Sequence, residues 1–502
     1  MRNLFRTLVV AAVILVCCKE LWLGVTQLFV ANPSFYNTHI PIGSFENPGP
    51  YGGFLSICTC LLAADIFLDF RDRKEPGLVH NVIRILSSVL VITALIVIPS
   101  TQSRTAVLAA GCGLLLLCLR VDRFRGVLQR AWKKYGLLIC LAVAIVTAGV
   151  YLLKKPSADG RFFMDKICIE ALCSNGIKGA GIGHFGGAYG KSQYDYFHSQ
   201  IENYGKDDLD WTAINEHDRL TAGCPDNAFN EYLFVGVEAG PLVMLLFMGI
   251  LAAGIVISFK RSTIWCYGLT AFAVFAMFYY PLHVRQIQIM LPIMLVASVL
   301  DGETSKSRKK IPELAILSIT FVIVSIALIR KLPDIKQYRQ AETVWKKAEH
   351  WHLLENYDYV VQDCEPILSY KKLDPDFLFA YGQSLNKTGN YQKSDSILKM
   401  GTEISSDPMF WNVMGNNSLA RGDYREAEER YRHAFQMLPN RLYPLYLLAE
   451  LYHTEGDTVR FLDMADRVEH FVSKVESKNT ERLRDEIREI RKNYYQDISI
   501  YE

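Results

Sequence analysis

Long apolar segments run through the first 330 residues of this chain and restrict the folds open to it. A helix needs roughly 20 apolar residues to cross the hydrocarbon core of a bilayer, with a range of about 17 to 25. The segments predict an all-helical fold that begins with a polytopic transmembrane bundle of about nine spans. The predicted spans are 7–29, 50–69, 82–99, 104–119, 136–153, 235–257, 264–280, 286–300 and 312–330.

Lysine and arginine concentrate in alternate connections between these spans. The positive-inside rule places such connections in the cytoplasm. It therefore predicts a cytoplasmic N-terminus and an outer location for the large loop 154–234 and for the C-terminal region. The first apolar run has no small-residue cleavage site after it, which favours a retained membrane anchor. The basic clusters are Arg71, Arg73, Lys74 and Arg84; Arg120, Arg123, Arg125, Arg130, Lys133 and Lys134; Lys260 and Arg261; and Lys306, Arg308, Lys309 and Lys310.

The formal charge of +2 argues against a nucleic-acid-binding protein, which would need a clustered basic face. Most of the 12 cysteines lie in apolar runs, where a thiol serves as a small apolar side chain. They indicate neither a metal site nor a disulfide framework. Cys168, Cys173 and Cys224 lie in the outer loop, and spacing alone does not decide whether any of them pair.

Two arginines stand apart from the cytoplasmic clusters, because Arg104 and Arg285 lie in short outer connections. One interpretation is that their side chains reach to the membrane interface and have no further role. The other is anion binding, since a guanidinium group stays charged and binds phosphate with two hydrogen bonds.

The outer loop contains Arg161 and a glycine-rich stretch from Lys178 to Gly187. This stretch is not a dinucleotide-binding fingerprint, because we expect neither a strand before it nor a helix after it. We expect a tight turn that follows the amphipathic segment from Phe162 to Cys173.

The C-terminal region carries an internal repeat with a period of about 34 residues. Its marks are Asn356-Tyr357, Asn390-Tyr391, Asp423-Tyr424 and Asp457-Thr458. This period is typical of tetratricopeptide-like (TPR-like) helical repeats, which stack into an α-solenoid. We therefore predict two domains, residues 1–332 in the membrane and residues 333–502 as the repeats. The repeats would bind a protein or peptide, or simply pack against the membrane domain.

Several motifs between about residues 18 and 300 resemble those of the O-antigen ligase and polymerase superfamily of membrane glycan transferases. Glu20, Gly24 and Gln27 are similar to an element in the first helix of that superfamily. The other matching segments are Gly43-Ser44-Phe45-Glu46-Asn47-Pro48 and the glycines that follow it; Ser103-Arg104-Thr105; Gly160-Arg161 with Gly179-Ala180-Gly181-Ile182-Gly183; and Asn230-Glu231-Tyr232-Leu233 with Glu238-Ala239-Gly240-Pro241.

This resemblance implies a metal-independent C-type glycosyltransferase without a cofactor, in the inner membrane of a bacterium. The enzyme would transfer a glycan from undecaprenyl diphosphate to lipid A core, to another glycan or to a protein hydroxyl at the periplasmic face, as in lipopolysaccharide biosynthesis. Its partners would be that donor, the acceptor, membrane lipids and a protein on the repeats, with no nucleic acid. The predicted substrate-binding residues are Arg104, Arg161, Arg285 and His283, since fixed cations stabilise a diphosphate leaving group.

The sequence departs from this superfamily just before Asn230, because Phe229 occupies the usual position of a histidine that acts on the acceptor. A carboxylate or an imidazole could replace it as the proton acceptor. The candidates are Glu231, Asp226, His217 and His283, and the predicted catalytic residues are Glu231, Asn230 and Asp226. A structural role is the alternative for each of them, since an acidic residue also stabilises the start of a helix.

Three other functions stay open at this point. The protein could polymerise repeat units, or it could be a non-catalytic membrane-anchored scaffold for envelope assembly. A transporter ranks below these, because few charges beyond Lys19 and Glu20 fall within the apolar segments.

Overall fold

The computed structural model describes residues 2–29, 39–72, 78–153, 155–300 and 336–500. Throughout these residues the regular secondary structure is helical, as predicted. The predicted span 312–330 and the predicted domain boundary at residues 332–333 lie outside them. The helices before residue 301 are α1 (Arg2–Leu28), α2 (Pro48–Asp72), α3 (Leu78–Ser100), α4 (Arg104–Cys118), α5 (Asp122–Leu153), α6 (Lys155–Ser174), α7 (Phe185–Tyr204), α8 (Glu216–Thr221), α9 (Glu231–Ala239), α10 (Pro241–Lys260), α11 (Trp265–Ala276) and α12 (Arg285–Leu300), with 3-10 turns at Trp211–Ala213 and Pro281–His283.

The later helices follow one another with short connections. They are α13 (336–353), α14 (Tyr357–Cys364), α15 (Leu368–Lys371), α16 (Pro375–Lys387), α17 (Tyr391–Thr402), α18 (Met409–Ala420), α19 (Tyr424–Met437), α20 (Tyr443–Glu455), α21 (Thr458–His470) and α22 (Lys478–Ile500), with a 3-10 turn at Glu365–Ile367.

The chain forms two compact units, each built from separate segments. The first unit comprises Met1–Lys155, Ala228–Gly236 and Leu242–Ser307, and the second comprises Pro156–Asn227, Val237–Pro241 and Arg308–Glu502. Residues of the large loop and the C-terminal helices therefore belong to the same unit.

Helix α2 lies at the centre of the first unit and packs against α1, α3, α4 and α11. In its apolar window 78% of the residues are buried, whereas the corresponding value for α10 is 17%. Apolar side chains on α3 and α10, such as Ile92 and Leu246, are exposed. A helix that is apolar on every side needs either protein or lipid around it, so this pattern is typical of a membrane bundle.

Four described helices are long and apolar enough to cross a membrane, namely Arg6–Leu28, Pro48–Leu68, Asn81–Ser100 and Pro241–Lys260. A fifth span results if Arg104–Cys118 and Asp122–Leu138, which are bent by 108°, are counted together. Trp265–Ala276 and Arg285–Leu300 are apolar but shorter. By length and composition, the described residues thus provide four or five spans.

The predicted span 235–257 begins too early. Helix α9 ends at Ala239, and α10 begins at Pro241. Gly240 between them has φ +88°, a backbone conformation that suits glycine, and proline then starts a new helix. Hydropathy alone runs across this break, because Glu238 is the single charged residue in the otherwise apolar surroundings of Gly240.

In the second unit, helices α16 to α22 each pack on the next one along the chain. The sequence repeat marks the starts of helices, because Asn356, Asn390, Asp423 and Asp457 are the N-cap residues of α14, α17, α19 and α21. The carboxylates of Asp423 and Asp457 accept hydrogen bonds from backbone N–H groups in the first turn. Such caps supply acceptors for the N–H groups that a helix leaves without partners.

The loop segment 156–227 shares its apolar core with these C-terminal helices. Leu209 is buried together with residues of α19 to α22, and the Trp211 ring lies edge-on to the Phe471 ring at 5.1 Å. The buried guanidinium of Arg219 donates hydrogen bonds to the carbonyls of Pro439 and Val472. The large loop is therefore a folded part of the second unit.

Candidate functional site

A buried carboxylate on α1 holds the segment that precedes α2. Glu20 is 1% exposed, and its carboxylate accepts hydrogen bonds from the backbone N–H of Ser44 (2.9 Å) and from the Ser44 hydroxyl (2.7 Å). The ammonium of Lys19 lies 3.1 Å away. These partners compensate the cost of removing the carboxylate from water.

Gln27, two turns further along α1, binds the same segment. Its side-chain oxygen accepts hydrogen bonds from the N–H groups of Ile42 and Gly43, and its amide nitrogen donates to the Gly43 carbonyl. Gly43 has φ +59°, and a Cβ atom there would lie 2.6 Å from the Glu20 carboxylate, so only glycine fits. The α1 motif and the Gly43–Pro48 motif of the sequence therefore form one hydrogen-bonded structure.

Asn47 connects the start of α2 with the end of α11. Its side-chain oxygen accepts hydrogen bonds from the Gly49 N–H (3.1 Å) and from the Tyr279 hydroxyl (2.8 Å). Its amide nitrogen lies 3.5 Å from the Tyr280 hydroxyl. A Cβ atom on Gly49 would come within 2.4 Å of the Tyr279 hydroxyl, so the glycine allows this close approach.

The same end of α2 contacts the corner that carries Arg104. A Cβ atom on Gly52 would meet Ala106 and the Thr101 hydroxyl within 3 Å. The Ser103 hydroxyl caps α4 by accepting a hydrogen bond from the Ala106 N–H. Arg104, the first residue of α4, is half-buried at this corner.

Glu231 and His283 lie next to each other in the first unit. Glu231 begins α9, is 1% exposed, and accepts a hydrogen bond from the Leu282 N–H at 2.9 Å through one carboxylate oxygen. The other carboxylate oxygen lies 3.9 Å from Nδ1 of His283. The imidazole packs edge-on against the Phe234 ring at 4.5 Å. Burial lowers the pKa of His283, so its imidazole is neutral at pH 7.

The first unit thus contains five of the sequence-based candidates. His283 and Glu231 are paired, and Arg285, which is exposed, begins α12 two residues after His283. Arg104 lies at the corner described above. Asn230 has a structural contact, because its side-chain oxygen accepts a hydrogen bond from the Leu233 N–H in the first turn of α9.

The remaining candidates belong to the second unit. Arg161 lies on α6 and is half-buried. Partial desolvation and the neighbouring Asp407 carboxylate raise the pKa of Asp226. His217 is 61% exposed at its side chain, and its Nε2 lies 3.6 Å from the Asp159 carboxylate. Cys168, Cys173 and Cys224 are free thiols.

The glycine-rich stretch forms the expected turn, with Gly179, Gly181 and Gly183 all at positive φ. The expectation that no helix follows was wrong, because α7 begins at Phe185. The Glu238 carboxylate accepts a hydrogen bond from the Gly183 N–H at 2.8 Å. The backbone N–H groups of residues 180 and 181 donate to the carbonyls of residues 237 and 238. Two separate sequence motifs, the glycine-rich stretch and Glu238-Ala239-Gly240, are therefore bonded to each other.

Sequence reasoning missed Tyr279 and Tyr280, which surround the position of Phe229. The Phe229 ring lies 5.4 Å from the Tyr279 ring and 5.5 Å from the Tyr280 ring. The available signal was a pair of adjacent tyrosines followed by proline at the end of an apolar run. An aromatic wall with hydroxyl groups thus stands next to the Glu231–His283 pair.

No protein-family model matches this chain, and no curated protein matches its sequence significantly.

Proposed function

We propose that this protein is a membrane glycosyltransferase that resembles O-antigen ligases. It transfers a glycan from undecaprenyl diphosphate to a hydroxyl of lipid A core, of another glycan or of a protein. The observation that supports this proposal best is the Glu231–His283 pair, since it provides a proton acceptor with a buried carboxylate partner close to Arg285. A neutral imidazole is suited to accept a proton at physiological pH.

In the proposed reaction His283 removes the proton from the acceptor hydroxyl. The hydroxyl oxygen then bonds to the anomeric carbon of the donor glycan, and the bond from that carbon to the diphosphate oxygen breaks. Undecaprenyl diphosphate leaves with the electron pair, and Glu231 stabilises the imidazolium ion. Pairing of a base with a carboxylate follows the logic of other acyl- and glycosyl-transfer sites.

Arg104 and Arg285 of the first unit bind the diphosphate in this proposal, and Arg161 of the second unit is a separate candidate for anion binding. A diphosphate that is already ionised needs charge stabilisation and no proton, and fixed guanidinium groups supply that stabilisation. The reaction is accordingly metal-independent. Asn230 has a supporting role here, because its side-chain contact is that of a helix cap.

The proposed membrane architecture has more spans than the four or five that the described residues provide. It comprises about nine spans in the bacterial inner membrane, a cytoplasmic N-terminus, a periplasmic loop 154–234 and a periplasmic TPR-like solenoid that recruits the acceptor or a partner. The packing of α16 to α22 in sequence order and the N-caps at the repeat marks support the solenoid.

The test is a set of single substitutions followed by measurement of surface glycan and of lipid-linked glycan in membranes. His283→Ala and Glu231→Gln are expected to lower transfer, with a loss of about 10²- to 10⁴-fold for His283, which is the usual contribution of general base catalysis. Matched controls are His470→Ala, because His470 is an exposed histidine, and Arg125→Ala, because Arg125 is an exposed arginine that pairs with Asp122.

Normal transfer in the His283→Ala protein would refute the role of the base. Normal transfer in the Arg104→Ala and Arg285→Ala proteins would refute diphosphate binding by these arginines. If every variant and its controls behave alike while disruption of the gene abolishes the product, a non-catalytic scaffold is the better explanation. Accumulation of long lipid-linked chains would indicate ligation, and accumulation of single repeat units would indicate polymerisation.

A further inference from the structure

A cavity of about 500 Å³ lies within the second unit, between α7 and the helices α17 to α19. Every residue that lines it belongs to that unit. This volume is in the range of small-molecule sites. Gly187 and Gly190 of α7 belong to the lining, and both glycines pack closely against the C-terminal helices, so α7 forms a fixed side of the cavity.

One wall of the cavity is aromatic and consists of Tyr194, Trp411 and His433. The His433 ring lies 4.1 Å from the Tyr194 ring at an angle of 23°, and 3.8 Å from the Trp411 ring. All three side chains are partly exposed. Burial and the adjacent His198 lower the pKa of His433 to about 4, so the imidazole is neutral at pH 7. The wall is therefore an uncharged group of ring faces and edges.

Polar side chains of both charges surround this wall. The cavity lining includes Lys191 and Asp195 on α7, Glu403 after α17, and Asn175 after α6. Lys191, Asp195 and Glu403 are exposed, and they provide donors as well as acceptors. Two carboxylates at one site repel an anionic ligand, whereas a neutral ligand with many hydroxyl groups can donate to the carboxylates and accept from the ammonium and the amide.

We propose that this cavity binds a neutral hexopyranose unit of a glycan. The apolar C–H face of the sugar lies against Trp411, and its hydroxyl groups bind Asp195, Glu403 and Lys191. A pyranose ring has a face that is mainly C–H and an edge that carries hydroxyl groups. The flat apolar wall matches that face, and the mixed polar groups beside the wall match the hydroxyl groups. The choice of a sugar among neutral polar ligands rests on the proposed function, in which the second unit meets a glycan.

The experiment uses the purified full-length protein in detergent and measures binding of methyl hexopyranosides (gluco, galacto and manno) and of their N-acetylamino counterparts by saturation-transfer NMR and calorimetry. At least one of these sugars is expected to bind with a dissociation constant on the order of 1 mM. Asp195→Asn is expected to weaken binding about fivefold or more, and Trp411→Ala is expected to abolish it. Trp411→Phe keeps a ring and should retain part of the affinity, which separates loss of the wall from loss of folding.

Two matched controls lie elsewhere in the same unit. Tyr204→Ala removes a ring that is 78% exposed, and Asp463→Asn removes an exposed carboxylate. Neither should change sugar binding. The proposal would be overturned if none of the neutral sugars binds. It would also be overturned if the Asp195→Asn and Trp411→Ala proteins bind the sugars as tightly as the wild type. Binding of a hexose phosphate or of an aromatic tripeptide in place of the neutral sugars would overturn it as well.

The site and the proposed transfer reaction can fail separately. If sugars bind and the His283→Ala protein still transfers glycan normally, the sugar site in the cavity is supported and the role of His283 as the base is refuted. If His283→Ala abolishes transfer while no sugar binds and the Trp411→Ala protein transfers glycan normally, the proposed reaction is supported and the sugar site is refuted.

Discussion

Gln27 makes three hydrogen bonds to two residues that lie 15 and 16 positions away along the chain. Each of its polar groups pairs with a backbone group that has little contact with water. Removing one partner from such a pair leaves the other desolvated and unpaired, which costs more than the hydrogen bond itself contributed. Gln27 therefore determines the path of the chain into α2.

Gln27→Leu is expected to lower the free energy of unfolding by about 1–3 kcal/mol for each backbone group left buried and unpaired. The measurement is thermal unfolding of the detergent-solubilised protein. Gln129→Leu is the control, since Gln129 is exposed on α5 and should change the unfolding temperature little. Equal unfolding temperatures for the two variants would contradict this account of Gln27.

His433 should make the second unit sensitive to acid. Its pKa is about 4 in the folded protein, against about 6.5 for an unperturbed histidine. Between these values the unfolded chain binds more protons, so stability is fully present above pH 6.5 and falls as the pH decreases toward 4. The loss attributable to this residue is on the order of 2–3 kcal/mol.

Chemical denaturation between pH 4 and pH 7 tests this prediction when wild type is compared with His433→Gln. The difference between their unfolding free energies isolates this residue from acidic groups whose pKa burial raises, among them Asp226 and Asp407. His217→Gln, which alters an exposed histidine, should keep the wild-type slope. The prediction fails if His433→Gln keeps that slope too.

Some residues of the candidate site could be selected from the sequence alone, whereas the contacts between them could not. Arg104, Arg285 and His283 could be selected because each is a polar residue between apolar runs. The contact between Asn47 and Tyr279 could not, because it joins residues 232 positions apart and a local pattern does not specify which distant residues meet. The pairing of His283 with Glu231 depends on how α9 and the turn after α11 pack, and spacing does not specify that.

At the scale of elements, α7 packs against the C-terminal helices through its glycines. A Cβ atom on Gly187 would lie 2.1 Å from the carbonyl oxygen of Glu403, and one on Gly186 would lie 2.4 Å from the carbonyl oxygen of Ile404. Both neighbours are backbone atoms, which cannot rotate away as a side chain could. The glycines therefore permit this helix contact.

Gly187→Ala is expected to destabilise the second unit by about 1–3 kcal/mol, the usual cost of overpacking. The measurement is again thermal unfolding. Gly160→Ala is the matched control, because Gly160 lies in helix α6 with no atom within 4 Å of the added methyl group. Alanine should stabilise that helix slightly through its higher helix propensity. Destabilisation of equal size in both variants would contradict the packing argument.

The elements differ in how far their sequences predict them. The starts of α14, α17, α19 and α21 follow from Asn and Asp at a regular period, because N-caps are a local signal. Helix α7 was missed, since Gly186, Gly187 and Gly190 are weak helix formers and tertiary packing selects the helix there. The span 235–257 was predicted to start too early, because hydropathy averaged over a window does not detect the break at Gly240.

At the scale of the whole molecule, the second unit depends on segments that lie far apart in the sequence. Removal of residues 336–500 would expose Leu209 and Trp211 and would leave the buried Arg219 without its carbonyl partners. We expect such a truncated protein to be degraded at loop 156–227 and to reach a lower level in membranes. Limited proteolysis with detection of a tag at the N-terminus measures this.

The control for that truncation is the full-length protein with Arg425→Ala, a change at a residue 91% exposed on α19. It should resist the protease as the wild type does. A truncated protein with an equally resistant loop would contradict the shared core.

Because the truncation disrupts the second unit, loss of function after it does not separate a scaffold from an enzyme. Single substitutions in the Glu231–His283 pair do separate them.

The second unit combines segment 156–227 with helices that are synthesised much later, so it cannot complete its folding until those helices are made. A ribosome adds about 5–20 residues per second, so roughly 15–55 s separate the synthesis of residue 227 from that of residue 500. During this interval the apolar side of segment 156–227 has no C-terminal helices to cover it. The nascent loop is therefore exposed to aggregation until the last helices are made, and slower translation of those helices should increase its aggregation.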